Sequence, residues 1–402
     1  PTRRSSDLPL KTVSAAGALW GFLLFCLCCS WLYFYNFFAG LGVCLLMAVF
    51  YCLLFLSIKF IDVHLPEYSF LLNSIIFLLF EFLRTKGYLG FCYGQIVYSQ
   101  WKMIPLVKTA RIFDVWGISF LIYLTNFTLA EIIHDKKIKI HFSKLIILIC
   151  AFLTVFLPGA FVPQKEDKTS VLKVLMIQNN SDPWKNGIEQ YTNEVEQLKE
   201  LTLQGLAQYP DTQLIVWSES AVVVDVINHY KNHTNERRYN LARSLFEFIN
   251  QINVPVLSGN NYLDYNSAVL FSPKKVPGTD EFPVNYQVYN KNHLVPFSED
   301  FPECFLLKPI KTRMEKSGNK FWKKGEDIQL IGLNSIKIGT PVCFEDTFSD
   351  ITKKMSEKGA DIFINVSNDY WSNSAACQYQ HLSQAVFRSA ETGLYSLRCT
   401  NS

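Results

Sequence analysis

Between Thr12 and Ile58 the sequence runs for 47 residues without a charged side chain. A helix rises about 1.5 Å per residue and the hydrocarbon core of a bilayer is about 30 Å thick, so this stretch holds two membrane-crossing helices of about 20 residues each. Asn36–Gly42 is the expected turn between them. Further spans are expected at Tyr68–Leu83, at Ile112–Ala130 with one acid (Asp114), and at the uncharged run Leu145–Pro163, which makes five. Buried helices of a large soluble protein are the competing explanation, but unbroken apolar runs of this length are diagnostic of lipid.

Charge is distributed as two different solvents require. Residues 1–163 carry 13 Lys and Arg against 7 Asp and Glu, and the remaining 239 carry 25 against 28. The first part, net +6, is expected to sit in the membrane, and the second, net −3, has the charge density of a soluble domain. With 18% charged residues and a mean hydropathy of +0.12, the whole chain is too apolar for an ordinary soluble protein. No basic tract points to nucleic acid. Short basic loops stay cytoplasmic, so Lys136, Lys137, Lys139 and Lys144 before the last span put everything after Gln164 outside the cytoplasm. The same parity puts the loop bearing Arg84, Lys86, Lys102, Lys108 and Arg111 outside as well, against the rule. Those cations are candidates to hold phospholipid phosphates, with solvated loop charges as the alternative. Trp20, Trp31, Tyr33, Tyr35, Tyr98 and Trp101 fit an interfacial aromatic belt.

Seven of the eleven cysteines (Cys26, Cys28, Cys29, Cys44, Cys52, Cys92 and Cys150) lie in or beside apolar segments, where Cys acts as a small hydrophobe. Cys304, Cys343, Cys377 and Cys399 form no CxxC pair and have no His at metal spacing, so neither a zinc site nor a disulfide framework is expected. A lone catalytic thiol stays open. The chain begins with Pro1 and stops at Ser402 within an apparent strand, so it reads as a fragment lacking both ends. Residues 1–11 are a polar tail, foreign to the fold or cytoplasmic.

After a linker at 164–170 the hydrophobic period changes, and 171–402 reads as an alternating α/β domain. Strands are expected at Val171–Gln178, Leu214–Trp217, Val254–Leu257, Ala268–Phe271, Val284–Tyr289, Ile336–Val342, Asp361–Val366 and Tyr395–Cys399. Helices are expected at Glu189–Ala207, Arg238–Ile252, Phe348–Lys358 and Gln378–Gly393.

Three strand ends carry reactive groups of different kinds: Glu219 closes LIVWSES, Lys291 sits in VYNKNHLVPF, and Cys343 closes IGTPVCFED. Residues just past the carboxyl ends of strands gather at one rim of such a domain, so the three can converge. A thiol lifted on a strand-to-helix turn would gain thiolate character from backbone N–H groups and a nearby ammonium. A carboxylate can take and return its proton, and an ammonium can stabilise an oxyanion. Singly each residue is more often a packed Cys or a solvated charge; the conjunction carries the weight.

These segments resemble the Glu, Lys, Cys triad of the nitrilase superfamily of carbon–nitrogen hydrolases. With the membrane half attached, the resemblance narrows to the apolipoprotein N-acyltransferase branch. Further matching segments are WLYFYNF at Trp31, EFLRTKGYLGFCYGQIVYSQ at Glu81, YNKNHLVPFSE at Tyr289, VCFED at Val342, NVSNDYW at Asn365 and YQHLSQAVFRSAETG at Tyr379. The resemblance implies an α-helical transmembrane bundle at 12–163 and an extracytoplasmic, C-terminally truncated αββα sandwich at 171–402. It implies Glu219 as base, Lys291 as oxyanion partner and Cys343 as nucleophile. Glu299 and Glu345 match supporting positions, Glu345 holding Lys291 and Glu219 in register and Glu299 assisting deprotonation, with plain salt bridging as the bland alternative. Trp184 matches an aromatic at the substrate entrance, and Arg84, Tyr93 and Trp371 are candidate substrate-binding residues. Phe344 stands where Tyr is usual, Tyr93 where Trp is usual, and NDYWSN replaces NDAWFG.

The activity so implied is a two-step acyl transfer without cofactor or metal, from a membrane phospholipid to Cys343 and then to the N-terminal amine of a diacylglyceryl-cysteine lipoprotein. The enzyme would be a monomeric, multi-pass protein of the bacterial cytoplasmic (inner) membrane. A membrane-tethered amidase or nitrilase using water is the first rival. A solute-binding or transport protein is the second, opposed by spans nearly free of ionisable groups apart from Asp114.

Overall fold

In a computed structural model, residues 8–135, 142–161, 171–182, 185–274, 281–304 and 307–401 are described. By their contacts they form two units, 1–165 with 372–393, and 166–371 with 394–402.

The first unit opens with α1 (Leu10–Cys28), a short α2 (Trp31–Tyr35) and α3 (Phe37–His64). Asn36 was expected to begin the turn, yet it caps α3, its side chain accepting from the Ala39 N–H at 3.1 Å, and the turn lies ahead of it. α1 and α3 meet at Gly17 and Gly21: a β-carbon at either would stand 2.6 or 2.5 Å from the carbonyl oxygen of Tyr51 or Met47. Lipid offers no hydrophobic drive for helix pairing, so close backbone contact through such a small-residue stripe does the work. α4 (Ser69–Leu83), α5 (Ile104–Asp135) and α6 (Phe142–Ala160) complete the set. Among the described residues, five helices are long and apolar enough to cross a membrane. α5 is broken at Asp114, whose φ of 53° leaves the helical region. Lys136, Lys137 and Lys139 and the 164–170 linker lie outside the described residues.

The second unit alternates as the period predicts. β1 (Val174–Ile177), α7 (Ile188–Gln208), β2 (Leu214–Trp217), α8 (Val226–Asn232), α9 (Glu236–Ile252), β3 (Val256–Tyr262), β4 (Tyr265–Ser272) and β5 (Asn285–Asn290) build a five-stranded sheet in sequential order. β1 to β3 run parallel, and β4 and β5 are antiparallel additions. Val195 and Leu198 of α7 and Leu241, Leu245, Phe246 and Ile249 of α9 share one core with Trp217, Val256 and Phe271 of the sheet. After α10 (Lys308–Lys316), a second sheet of β6 (Ile331–Leu333), β7 (Ile336–Gly339), β8 (Ile362–Asn368) and β9 (Tyr395–Asn401) follows, with α11 (Ser349–Glu357) between β7 and β8. α2, α8, α10 and β6 are too short or too polar to announce themselves by periodicity. The sheets are tied together where the Glu219 N–H donates to the Ser367 carbonyl at 3.3 Å and the Cys399 thiol to the Val216 carbonyl at 3.3 Å.

α12 (Ala375–Thr392), between β8 and β9 in sequence, packs with the first unit. Its Arg388 pairs with Glu391 at 3.0 Å and donates to the Tyr98 hydroxyl at 3.2 Å. Glu391 accepts from the Val115 N–H at 3.3 Å, supplying one of the amides that the break at Asp114 leaves without a helical partner. Arg111, expected at the outer interface, donates to the Glu391 carbonyl at 3.3 Å, where a cation suits the end of a helix.

Candidate active site

Glu219 lies two residues past the end of β2, in a turn whose next residue, Ser220, has φ 58°. β3 passes directly beside it at Gly259, where a β-carbon would meet the Glu219 Cα at 2.4 Å; only glycine admits this approach. Lys291 follows β5 immediately. β4 runs antiparallel to both neighbours, so its first residues share the rim reached by the ends of β3 and β5. Asn266 stands there, its carbonyl accepting from the Lys291 N–H at 2.9 Å.

Cys343 departs from the expected strand-to-α-helix junction. β7 ends at Gly339, Val342 bridges to Val366 of β8, and Cys343 opens a single 3₁₀ turn, Cys343–Thr347. Its φ of 51° is in the left-handed region that a residue with a β-carbon enters at a cost of about 1 kcal/mol or more. Asn365 fixes the turn, its amide donating to the carbonyls of Pro341 and Cys343 at 3.0 and 3.2 Å.

The expected convergence of Glu219, Lys291 and Cys343 is present in the geometry. The Lys291 Nζ lies 3.6 Å from Glu219 Oε1 and 2.8 Å from Glu299 Oε2, and the Cys343 thiol is hydrogen-bonded to the Glu219 carboxylate. The Asn266 amide nitrogen donates to Glu219 Oε1 at 2.9 Å and to Glu299 Oε1 at 2.8 Å, holding the two carboxylates on either side of the ammonium. Glu299 Oε2 also accepts from the Val295 N–H at 2.9 Å. Lys291 is fully buried, Glu219 and Cys343 nearly so.

Burial alone would strip the charge from Lys291, but Glu299 and then Glu219 hold its ammonium above the ordinary lysine range. Burial pushes the Glu219 carboxyl up, with Lys291 pulling down and Glu299 adding to the rise. Cys343 corrects an expectation: burial first and the Glu219 charge second raise its thiol well above the usual range, and the Lys291 ammonium only partly offsets them. The surroundings therefore favour the thiol form of Cys343, with the Glu219 carboxylate hydrogen-bonded to it.

Glu345 does not touch the Lys291 or Glu219 side chains, as the sequence reading had it. Fully buried, it accepts from the Asn292 and His293 N–H groups at 2.6 and 2.9 Å, the Val342 N–H at 2.8 Å and the Tyr289 hydroxyl at 3.0 Å. It therefore clamps the backbone after Lys291 to the backbone before Cys343. Burial lifts its carboxyl to about 7 against those N–H groups, which favour the charge. Phe344 is buried edge-on against Phe348, with ring centroids 4.8 Å apart. Asn266, Tyr289, Gly259 and Asn365 were not singled out in the sequence; a polar residue opening an otherwise apolar strand, as in YNSAVLF, is the one signal that marks Asn266.

The substrate-binding candidates divide. Arg84 is buried, its guanidinium donating to the Phe91 and Tyr93 carbonyls at 3.0 and 2.8 Å with Glu81 4.0 Å away, so it braces its own loop. Tyr93 is buried and meets Trp31 edge-on at 5.1 Å. Trp371 is half-buried in a short turn after β8. Trp184 lies outside the described residues. No cluster of three or more metal-ligating side chains occurs among the described residues.

Two family models match: the apolipoprotein N-acyltransferase N-terminal domain over residues 2–128, and carbon-nitrogen hydrolase over residues 174–402. The chain is 37% identical to apolipoprotein N-acyltransferase 1 of Treponema denticola, across 96% of this chain and 75% of the relative. It is 31% identical to apolipoprotein N-acyltransferase 1 of Treponema pallidum, across 88% and 69%, and 28% identical to apolipoprotein N-acyltransferase 2 of Treponema denticola, across 82% and 65%. Membrane-length helices followed by a two-sheet domain with a buried Cys, Lys and Glu at one rim agree with both matches, and the chain belongs to the apolipoprotein N-acyltransferase family, a bacterial membrane branch with a carbon–nitrogen hydrolase domain.

Proposed function

We propose that this chain moves an acyl group from a membrane phospholipid to Cys343 and then to the N-terminal amine of a diacylglyceryl-cysteine lipoprotein. The observation that carries the reading is the Cys343 thiol hydrogen-bonded to Glu219, itself 3.6 Å from the Lys291 ammonium, in a chain with five membrane-length helices. Glu219 takes the thiol proton as sulfur attacks the ester carbonyl, and Lys291 stabilises the oxyanion. Collapse breaks the ester C–O bond, and Glu219 returns the proton to the departing lysophospholipid oxygen. In the second half the lipoprotein amine attacks the thioester, Glu219 accepts its proton, and the C–S bond breaks to give amide and thiol. Glu299 and Asn266 keep Lys291 and Glu219 in place, and Glu345 sets the distance between the lysine loop and the cysteine turn.

The assignment of 12–163 to the membrane and 171–402 to catalysis rests on the membrane-length helices and the carbon-nitrogen hydrolase match, and the placing of the catalytic domain outside the cytoplasm on the basic residues before the last span. A membrane location lets both lipid substrates arrive laterally, sparing the ~0.8 kcal/mol per CH2 of drawing acyl chains into water.

Intact mass spectrometry of the purified protein after incubation with phospholipid tests the reading. An acyl-sized, hydroxylamine-labile adduct is expected, absent in Cys343→Ala. A folded sample that never acquires it overturns the phospholipid-donor claim and returns weight to a tethered amidase.

A further inference from the structure

Between Glu299 and Gly325 the chain leaves the active-site rim and comes back to it. The Trp322 N–H donates to the Glu299 carbonyl at 2.8 Å, and the Gly325 N–H to the Lys291 carbonyl at 2.8 Å, so the two ends of this excursion are fastened to the residues that flank the catalytic ammonium. Its base is aromatic: Phe301 lies 5.5 Å from Phe297 on one side and 5.5 Å from Phe321 on the other. Its tip is α10, a nine-residue helix in which no side chain is buried.

No residue of α10 is fully buried: Met314 is half-buried, and Ile310 faces outward with nothing among the described residues covering it. Ile310 and Met314, four residues apart, share one side, and Ile310 is 51% exposed. By helical spacing Lys311 and Arg313 flank that side, while Lys308 and Lys316 continue onto the polar face. Lys320, Lys323 and Lys324 follow in the returning strand of chain. Residues 308–324 thus hold seven cations and one acid, Glu315, in a chain whose net charge is only +3. Three of the seven are neutralised locally, Lys311 by Glu303, and Lys320 and Lys323 by Asp264. Lys308, Arg313, Lys316 and Lys324 are exposed and make no salt bridge among the described residues. Bare like charges this close repel each other, and an anionic surface relieves the repulsion.

We infer that α10 lies in the bilayer interface, with Ile310 inserted, Met314 at its edge and the four unpaired cations on anionic phospholipid headgroups, so that anionic lipid is concentrated beside the segment fastened to the active-site rim. An apolar stripe flanked by long basic side chains is what an interfacial helix requires: the stems cover apolar surface while the charges reach the phosphates. An acidic protein surface would satisfy the charges but leave the exposed Ile310 side unexplained. The inference rests on the phospholipid-donor reading and adds to it a preference for headgroup charge. Each Lys or Arg near an anionic surface contributes about a fivefold gain in affinity at physiological salt. Four together predict a strong, salt-sensitive dependence on anionic lipid.

The test uses the chain in nanodiscs of phosphatidylcholine alone and of phosphatidylcholine with phosphatidylglycerol, comparing the parent with K308Q/R313Q/K316Q/K324Q. In the parent, acyl adduct at Cys343 is expected to form at least tenfold faster in the anionic discs, with slowed amide exchange across 307–317, and both effects fade in high salt. In the variant the adduct forms at the parent's phosphatidylcholine rate in either disc. Adduct forming equally fast in both discs with the parent, or α10 amides equally exposed in both, overturns the inference while leaving the phospholipid-donor reading intact. Absence of adduct in every disc instead removes that reading. Protection of α10 by an acidic lipoprotein acceptor and not by anionic lipid would reassign the surface to a protein partner.

Discussion

The unit of long apolar helices and the two-sheet unit use polar groups in different ways. In the first, buried Arg84 spends its guanidinium on the carbonyls of its own loop, and buried Glu391 accepts from the amide freed by the break at Asp114. They repair irregular backbone, which lipid cannot solvate. In the second, backbone is satisfied by two sheets, and buried Glu219, Lys291 and Glu299 are left to meet one another and the thiol of Cys343. The lesson is that buried charge by itself does not mark a reactive site: Arg388 and Glu391 also pair at 3.0 Å, and what sets the second group apart is a thiol beside two carboxylates and an ammonium.

Replacing Lys291 with Met should have the largest effect, about 10³-fold or more on acyl-adduct formation, because it removes the proposed oxyanion partner and leaves Glu219 and Glu299 as adjacent buried carboxylates. Single-turnover mass spectrometry reads the rate; a loss under tenfold would put the ammonium on the same footing as the structural cations of the helical unit. Arg388→Met should cost about 3–5 kcal/mol of stability, since the buried Glu391 carboxylate loses its countercharge, and Arg388→Met/Glu391→Gln should recover much of it. Thermal unfolding in detergent measures both, and a rate loss in the double variant without a stability loss would move this pair towards catalysis. Gly259→Ala should slow adduct formation by about 100-fold with substrate affinity little changed, as its β-carbon displaces the Glu219 backbone.

The smallest effect is expected at His293, stacked on Phe348 with ring centroids 3.8 Å apart, where burial lowers the imidazole to about 4. Its unfolded value is near 6.5, so the unfolded chain binds the extra proton between those limits. Its contribution is therefore complete above pH 6.5 and lost as pH falls towards 4. Glu345, raised to about 7, acts in the opposite sense, its contribution lost as pH rises. The difference between His293→Phe and the parent isolates the histidine, and should amount to order 2 kcal/mol, allowing for the partial exposure of the ring.

Much of the catalytic rim was legible because it is written in segments. LIVWSES, VYNKNHLVPF and IGTPVCFED each put a reactive residue just after a strand, and parallel strands deliver such residues to one edge. Asn266 escaped because it enters from an antiparallel strand at its beginning, a place that pattern does not search. Arg84 was legible as a cation near the membrane but not as a brace, since the carbonyls it holds, Phe91 and Tyr93, carry no trace in a list of side chains.

The sequence by itself determined the contrast between an apolar part with five membrane-length spans and a part of ordinary charge density, and the order of the longer strands and helices, because solvent preference and periodicity are local properties of a chain. Only the tertiary structure decided the surroundings that bear on the protonation of Cys343. Whether Cys343 rests as thiol or thiolate depends on the balance between burial, the Glu219 charge and the Lys291 charge, and those terms exist only once residues distant in sequence are brought together and water is removed from between them.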